Sequence, residues 1–301
     1  NTYVRDYNSN NKIKRIACGP NVDDYHWTRE VMDKVKHHAQ GISLHYYTIP
    51  GDTWEHKGSA TEFDTKEYYK TLARAYRIEE LINNHIAVMN SVNPQQWVNL
   101  VVDEWGTWYD VEPGTNPGFL YQQNTMRDAM VAALTLNIFN KHSDRIMMAN
   151  IAQTVNVLQS MILTDAQKMV LTPTYYVFKM FKEHQNNMLL GSFITTDKID
   201  SKEAKRFCPQ LIESASIDEN DIIYSTVVNI ADKKSAKIKC QIADRKVKNI
   251  KAYVLNGDIH DKNDFENTNA VEIKDFNDFR QLKDGFTATL PACSVVKFVI
   301  E

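Results

Sequence analysis

Apolar positions recur along this chain with two different periods, and the change falls near His184. Before it, short aliphatic runs alternate with longer stretches in which apolar residues return every three or four positions. Runs of this kind bounded by polar residues read as strands buried on both faces, and the longer stretches as amphipathic helices. Four strands are expected: Lys14 to Cys18, Ile42 to Tyr47, Val98 to Val102 and Arg145 to Ala152. Four helices are expected between and after them. The first runs from the Asp23-Asp24 cap to about Ala39, with Trp27, Val31 and Val35 on its apolar face; the others are Thr65 to about Met89, Asn124 to His142 and Thr174 to His184. Long loops, 48–61 and 110–123, follow the second and third strands, and an irregular segment follows the fourth. Beyond His184 the period falls to two, in Ser192 to Thr196, Ile222 to Ile230, Ala236 to Ala243, Lys248 to Leu255 and Ser294 to Ile300. Turns such as Asn256-Gly257-Asp258 separate these runs, as in a β-sandwich.

Strands alternating with helices make parallel β/α units. Each strand ends in polar or aromatic residues that lead into a loop, the way a (β/α)8 barrel builds its functional face. A doubly wound sheet is the alternative, weakened because Gly19-Pro20-Asn21 lacks the Gly-rich phosphate pattern. Four units are half a barrel. Thr2 to Tyr7 reads as the last turns of a helix already under way, and there is no initiator Met, so the chain is expected to begin inside a domain. The closing run LPACSVVKFVIE places Glu301 near a C-terminus. The expected fold class is α/β plus β: the C-terminal half of a (β/α)8 TIM barrel in residues 1–185, then a structural β-sandwich in residues 186–301. Half a barrel has open strand edges, which calls for a companion segment or self-association.

Composition removes some classes of function. The 301 residues are 43% hydrophobic and 24% charged, an ordinary globular balance, and the net charge of −3 offers no basic excess for phosphates, so no nucleic-acid partner is expected. No apolar run of about 18 residues is present, so no membrane partner is expected either. Cys18, Cys208, Cys240 and Cys293 show no metal-binding spacing, and each sits in or beside an apolar run, which favours buried thiols. No metal or organic cofactor is implied.

The strand ends gather the candidate chemistry. His45, Tyr46 and Tyr47 end the second strand, Glu104 and Trp105 the third, and Gln153 and Asn156 follow the fourth. A carboxylate beside aromatic platforms and amides suits carbohydrate, whose rings have apolar C–H faces and whose hydroxyls need fixed hydrogen-bond partners. A solvated acidic turn is the bland alternative for Asp103-Glu104. The set holds no Schiff-base lysine and no G-x-S-x-G serine. Asp103 precedes Glu104 by one residue, so strand alternation turns it to the other side and makes it structural. Trp54 and His56 lie in the loop after the second strand, either shaping an aglycone side or packing.

Three stretches, DEWGTWYDVEPGTNPGFLYQQNT, LHYYT with WEHKGSAT, and RIMMANIAQTVN followed by LTPTYYVF, closely resemble α-L-arabinofuranosidases of glycoside hydrolase family 51. The resemblance covers residues 1 to 190 and, through LPACSVV, the sandwich. It implies a retaining, exo-acting enzyme that takes arabinose from arabinan, arabinoxylan or arabino-oligosaccharides, with Glu104 as nucleophile. It also implies Tyr47 beside the nucleophile, His45 as its neighbour, Trp108 as an aromatic wall, Gln153 on the sugar ring, and a homo-oligomer, commonly a hexamer. A retaining pair needs a second carboxyl about 5 Å away. In the family this is a Glu in an Asn-Glu pair ending the fourth barrel strand, which by resemblance lies upstream of Asn1. Glu62, Glu67, Glu79 and Glu80 do not replace it, so the chain as given is expected to be inactive by itself. A related β-glucanase or xylosidase is one alternative. A non-catalytic carbohydrate-contacting fragment that needs a partner segment is another. The compartment is left open.

Overall fold

Aliphatic runs must be covered, and the first half of the chain does this by laying helices over one face of a parallel sheet. In the computed structural model, which describes residues 5–8, 10 and 12–301, β1 (Ile16–Ala17), β2 (Gly41–Thr48), β3 (Asn99–Thr107) and β4 (Ile146–Ile151) form one parallel sheet in sequence order. Helices α1 (Tyr25–Val35), α2 (Thr65–Val92), α3 (Met126–Lys141) and α4 (Pro173–Phe181) alternate with them. Val98, Leu100 and Val102 are fully buried under α2 and α3, and Val101, also buried, lies outside that core beside Gly41 of β2. Each helix begins at a polar cap: Asp24 accepts from Trp27 N, Asp64 from Glu67 N, and Thr172 from Tyr175 N before Pro173. At α3, Thr125 and Asp128 form a reciprocal capping box. The sheet and its helices are the C-terminal half of a (β/α)8 barrel.

The second half is a β-sandwich. One sheet has the order β14-β13-β17-β11-β10-β7, with β7 Met188–Leu190, β10 Leu211–Ile217, β11 Ile223–Asn229, β13 Ile250–Asn256, β14 Lys274–Asp275 and β17 Ser294–Ile300. The other is β12-β16-β15, from Ala236–Gln241, Gly285–Leu290 and Phe279–Leu282. Phe286, Phe298, Val296 and Leu290 fill the space between the sheets. The larger sheet turns its other face to the barrel helices, so Ile212, Val228, Leu255 and Val295 share one continuous core with α2, α3 and α4. Polar groups pin this contact. Asn137 on α3 donates to Ile212 O and accepts from the Ser214 and Thr226 hydroxyls, and Tyr68 on α2 donates to Ile230 O.

Several expectations are corrected. The helix end at Thr2 to Tyr7 lies outside the described residues as far as Val4, and Arg5, Asp6 and Tyr7 are irregular. β1 is only two residues long, and α1 stops at Val35. The segment after β4 is not irregular throughout: β5 (Ile162–Asp165) and β6 (Lys168–Leu171) make a hairpin before α4. Ser192 to Thr196 is not a strand. Its Ser192 hydroxyl donates to Glu213, Phe193 is exposed, and no ladder forms; the pairing occurs instead in the hairpin β8 (Lys198–Ser201) and β9 (Arg206–Pro209) that follows. Cys208 and Cys293 are buried, and burial pushes the Cys293 thiol up to about 12, but Cys18 is exposed and Cys240 half-buried. Cys18 lies just past β1, at the margin of the sheet, where no described strand covers it.

His184 closes the helical half and is nearly enclosed between Ser216 and Thr226, with Nδ1 at 2.8 Å and Nε2 at 3.1 Å from their hydroxyls. Burial holds its pKa down, from 6.5 to about 4, with Lys297 acting in the same sense and Glu183 opposing. The unfolded chain therefore binds a proton that the folded one refuses. Stability from this residue is complete above pH 6.5 and is lost as pH falls toward 4, by roughly 3 kcal/mol. Denaturant unfolding measured between pH 7 and 4 should show this loss, and His184→Gln should flatten that part of the curve.

Candidate active site

β3 emerges from its cover at the C-terminal end of the sheet, and the polar residues that end the core run collect there. Glu104 stands opposite His45 in the β2–β3 register. Its carboxylate is about half exposed, and Tyr47 donates its hydroxyl to Oε2 at 2.8 Å. His45 Nδ1 lies 3.5 Å from the same oxygen. Both contacts fall on Oε2, and among the described residues Oε1 has no hydrogen bond. Burial and the adjoining Glu104 push the Tyr47 hydroxyl well above its ordinary pKa, so it stays a donor over the working pH range.

Aromatic rings continue from this carboxylate. Trp108 meets Tyr47 edge-on at 5.0 Å between centroids, and Trp54 meets Trp108 at 5.5 Å. Trp54 is 55% exposed and so presents a face to solvent. Its loop is clamped from two sides. The Asp110 carboxylate accepts from Lys57 N at 3.0 Å and Gly58 N at 3.1 Å, and Gly51 N bonds Lys57 O at 2.7 Å, closing the loop's neck. From α2, Arg74 donates to the carbonyls of Ile49, Pro50 and Gly51, while Arg74 and Lys70 both pair with Asp52.

Of the residues singled out in the sequence, His45, Tyr47, Glu104, Trp108 and Trp54 are brought together. Gln153 follows the last residues of β4 after a cis Ala152–Gln153 peptide; it is exposed at the same end of the sheet, with its backbone N–H on Val157 O. His56 is exposed on the clamped loop, and no contact among the described residues joins it to Glu104. Asp103 departs from expectation. Its Oδ1 lies 3.2 Å from His45 Nε2, so it is not turned away from the histidine. Glu67, Glu79 and Glu80 are engaged elsewhere, with Arg127, His142 and Arg206. No group of three or more metal-ligating side chains is poised for an ion among the described residues.

Beneath the site lies a buried polar layer that the sequence reading missed. Asp128 accepts from the Thr107 hydroxyl at 2.6 Å, the Tyr109 hydroxyl at 2.9 Å and Thr125 N at 2.8 Å. Burial pushes its carboxyl pKa up, and Arg127 with these donors pulls it back. The fully buried Arg127 pairs with Glu67, donates to Ser59 O and Ala60 O, and lies between the rings of Phe63 and Tyr109. Gly106, at φ 138, turns the end of β3 so that Thr107 N reaches Gln159 Oε1 at 2.8 Å. The available signal was the charged pair Arg127-Asp128 inside an otherwise apolar helix start.

Half a parallel barrel with an exposed carboxylate and an aromatic wall at its C-terminal strand ends has the layout of a carbohydrate-processing enzyme. Comparison narrows that class. The family model for the α-L-arabinofuranosidase C-terminal domain matches residues 103–294. The sequence is 41% identical to an intracellular exo-α-L-arabinofuranosidase of Bacteroides ovatus, covering 100% of this chain and 58% of that protein. The crystal structure of a GH51 arabinofuranosidase from Xanthomonas axonopodis pv. citri matches with a TM-score of 0.94 at 40% identity, over 98% of this chain and 59% of that one. An arabinose complex of the Thermotoga maritima α-L-arabinofuranosidase shares the fold, with a TM-score of 0.76 at 24% identity, over 96% of this chain and 58% of that one. The chain belongs to the α-L-arabinofuranosidases of glycoside hydrolase family 51, and it spans 58% of the length of the Bacteroides relative.

The buried layer under the site yields a stability prediction. Asp128→Ala strands the Thr107 and Tyr109 hydroxyls and the Thr125 N–H in the interior. It should cost about 3 kcal/mol or more in denaturant unfolding, since each stranded buried group is penalised by about 1–3 kcal/mol.

Proposed function

We propose that the polypeptide containing this chain is a retaining, exo-acting α-L-arabinofuranosidase that releases terminal arabinose from arabinan, arabinoxylan or arabino-oligosaccharides, with Glu104 as nucleophile. The observation that carries this is the half-exposed Glu104 carboxylate at the end of a buried parallel strand, held at Oε2 by Tyr47. The name of the Bacteroides relative supports the substrate class.

In the first step Glu104 Oε1 attacks the anomeric carbon. A carbon–oxygen bond to the carboxylate forms, the glycosidic bond breaks, and the leaving oxygen takes a proton from an acid. In the second step the same acid, now a base, removes a proton from water; the water oxygen bonds the anomeric carbon and Glu104 departs as a carboxylate. Tyr47 steadies Oε2 while charge leaves and returns to Glu104. Among the described residues, no carboxylate other than Asp103 contacts this cluster, so the acid/base is assigned to the part of the relatives' length that this chain does not span. The same part would pair with β1 and β4, each of which has one strand neighbour here, with Ile16 and Met148 exposed. Trp108 forms the wall of the sugar site, Trp54 and His56 the leaving-group side, and Gln153 and His45 supply polar contacts. Self-association into homo-oligomers belongs to the same proposal.

Kinetics of the complete enzyme on an aryl α-L-arabinofuranoside test these assignments. Glu104→Gln should lower kcat by more than about a thousandfold, because no glycosyl-enzyme forms; near-normal turnover would reject the nucleophile. Proton NMR of the first product should show the α-anomer, and inversion would reject the double displacement. Tyr47→Phe removes one hydrogen bond to a charged group and should reduce kcat/KM by roughly 10- to 100-fold with folding intact.

A further inference from the structure

β3 holds one residue more than either neighbouring strand at its outer end. Ser43 and His45 on β2 face Val101 and Glu104, and Ala149 and Ile151 on β4 face Val102 and Trp105. Each time β3 advances three residues while its partner advances two. This is a β-bulge at Asp103 and Glu104, shared by both ladders, and bulges re-aim side chains. The exposure pattern agrees: Val102 and Trp105 are buried, while the two acids between them are both partly exposed. Regular alternation would have put one acid on each face. Here both reach one imidazole from its two sides, Asp103 Oδ1 at 3.2 Å from Nε2 and Glu104 Oε2 at 3.5 Å from Nδ1. Asp103 Oδ1 is itself shielded from solvent and has no aligned hydrogen-bond donor. Its contact is the histidine ring.

We propose that Asp103 is a positioning residue that acts through His45 on Glu104. The proposal rests on the assignment of Glu104 as nucleophile. The two nitrogens of an imidazole are distinct, and the partner of one decides the proton and orientation of the other. A carboxylate 3.2 Å from Nε2 fixes the plane of the ring and with it the place of Nδ1 beside Glu104. That arrangement matters most when Glu104 changes charge. The glycosyl ester removes one of the two carboxylates flanking the ring, and hydrolysis restores it. Asp103 keeps the ring in place through both steps, without touching substrate.

The test is a double-mutant cycle in the complete enzyme, together with nitrogen-15 NMR of labelled histidine. Asp103→Asn should lower kcat/KM by roughly 10- to 100-fold, the range typical when the partner behind a metal-bound histidine is removed. In a His45→Gln background the same change should cost less than about twofold, since the route of its action is gone. An equal loss in both backgrounds would overturn the proposal and make Asp103 a structural residue. The His45 ring nitrogens, assigned by their loss in His45→Gln, should have different chemical shifts in the unaltered protein and in Asp103→Asn. Unchanged ring signals would also overturn it. Asp103→Ala is the second variant if Asp103→Asn melts early. The NMR result does not need turnover. If the unaltered enzyme leaves arabinofuranosides intact, the functional assignment fails while the His45–Asp103 coupling is still decided.

Discussion

A strand paired on both edges and packed under helices on one face keeps a charged group most readily where that cover stops, and β3 is such a strand. Leu100 and Val102 are sealed under α2 and α3, and its ladders to β2 and β4 take up its backbone groups. An ionised carboxylate within that stretch would have neither solvent nor partner. The acids therefore stand where the cover stops, and the neighbouring strands end at the same level. That shared level gathers His45 and Tyr47 around Glu104. Parallel pairing alone brings residues separated by more than fifty positions into one cluster, because all the strands point their C-terminal ends the same way.

The strand end is then made rigid from below and from the side. Thr107, Tyr109 and Gln159 tie the exit of β3 to the start of α3 through Asp128. Arg127, one residue earlier, holds the loop that returns from Trp54 to α2. Two adjacent residues of one helix turn thus support the strand of Glu104 and the loop of Trp54. Charges buried this deeply are tolerated because donors and acceptors surround them. Asp110 closes the arrangement by holding Lys57 and Gly58.

The sandwich takes no direct part in the cluster, yet the barrel helices depend on it. Asn137, Tyr68 and the aliphatic faces of α2 and α3 turn away from the sheet toward β10, β11 and β17. Without that cover, α3, which is buried nearly all round, would expose a large apolar surface. The second sheet packs on the first through its own phenylalanine cluster and stays clear of the helices. The layers run from the site through the parallel sheet, the helices and one sandwich sheet to the other.

Much of this was legible in the sequence because it depends on local periods. The aliphatic runs marked β2, β3 and β4, the helical spacing marked α2 and α3, and the shift to a period of two marked the sandwich. Glu104, His45 and Tyr47 could be named because strand ends in such units face one mouth, and Trp108 because its motif resembles that of the family. The missed strands β10, β15 and β16 carry polar residues in their runs, so only their partners define them. The hairpin β5–β6 was hidden for the same reason. Asp103 shows the limit most clearly. Alternation along one strand assigned it to the far side, and the sequence contains nothing against that. The bulge that turns it to His45 arises from the registers of β2 and β4 against β3, which is a property of three strands together and is decided only when the sheet closes.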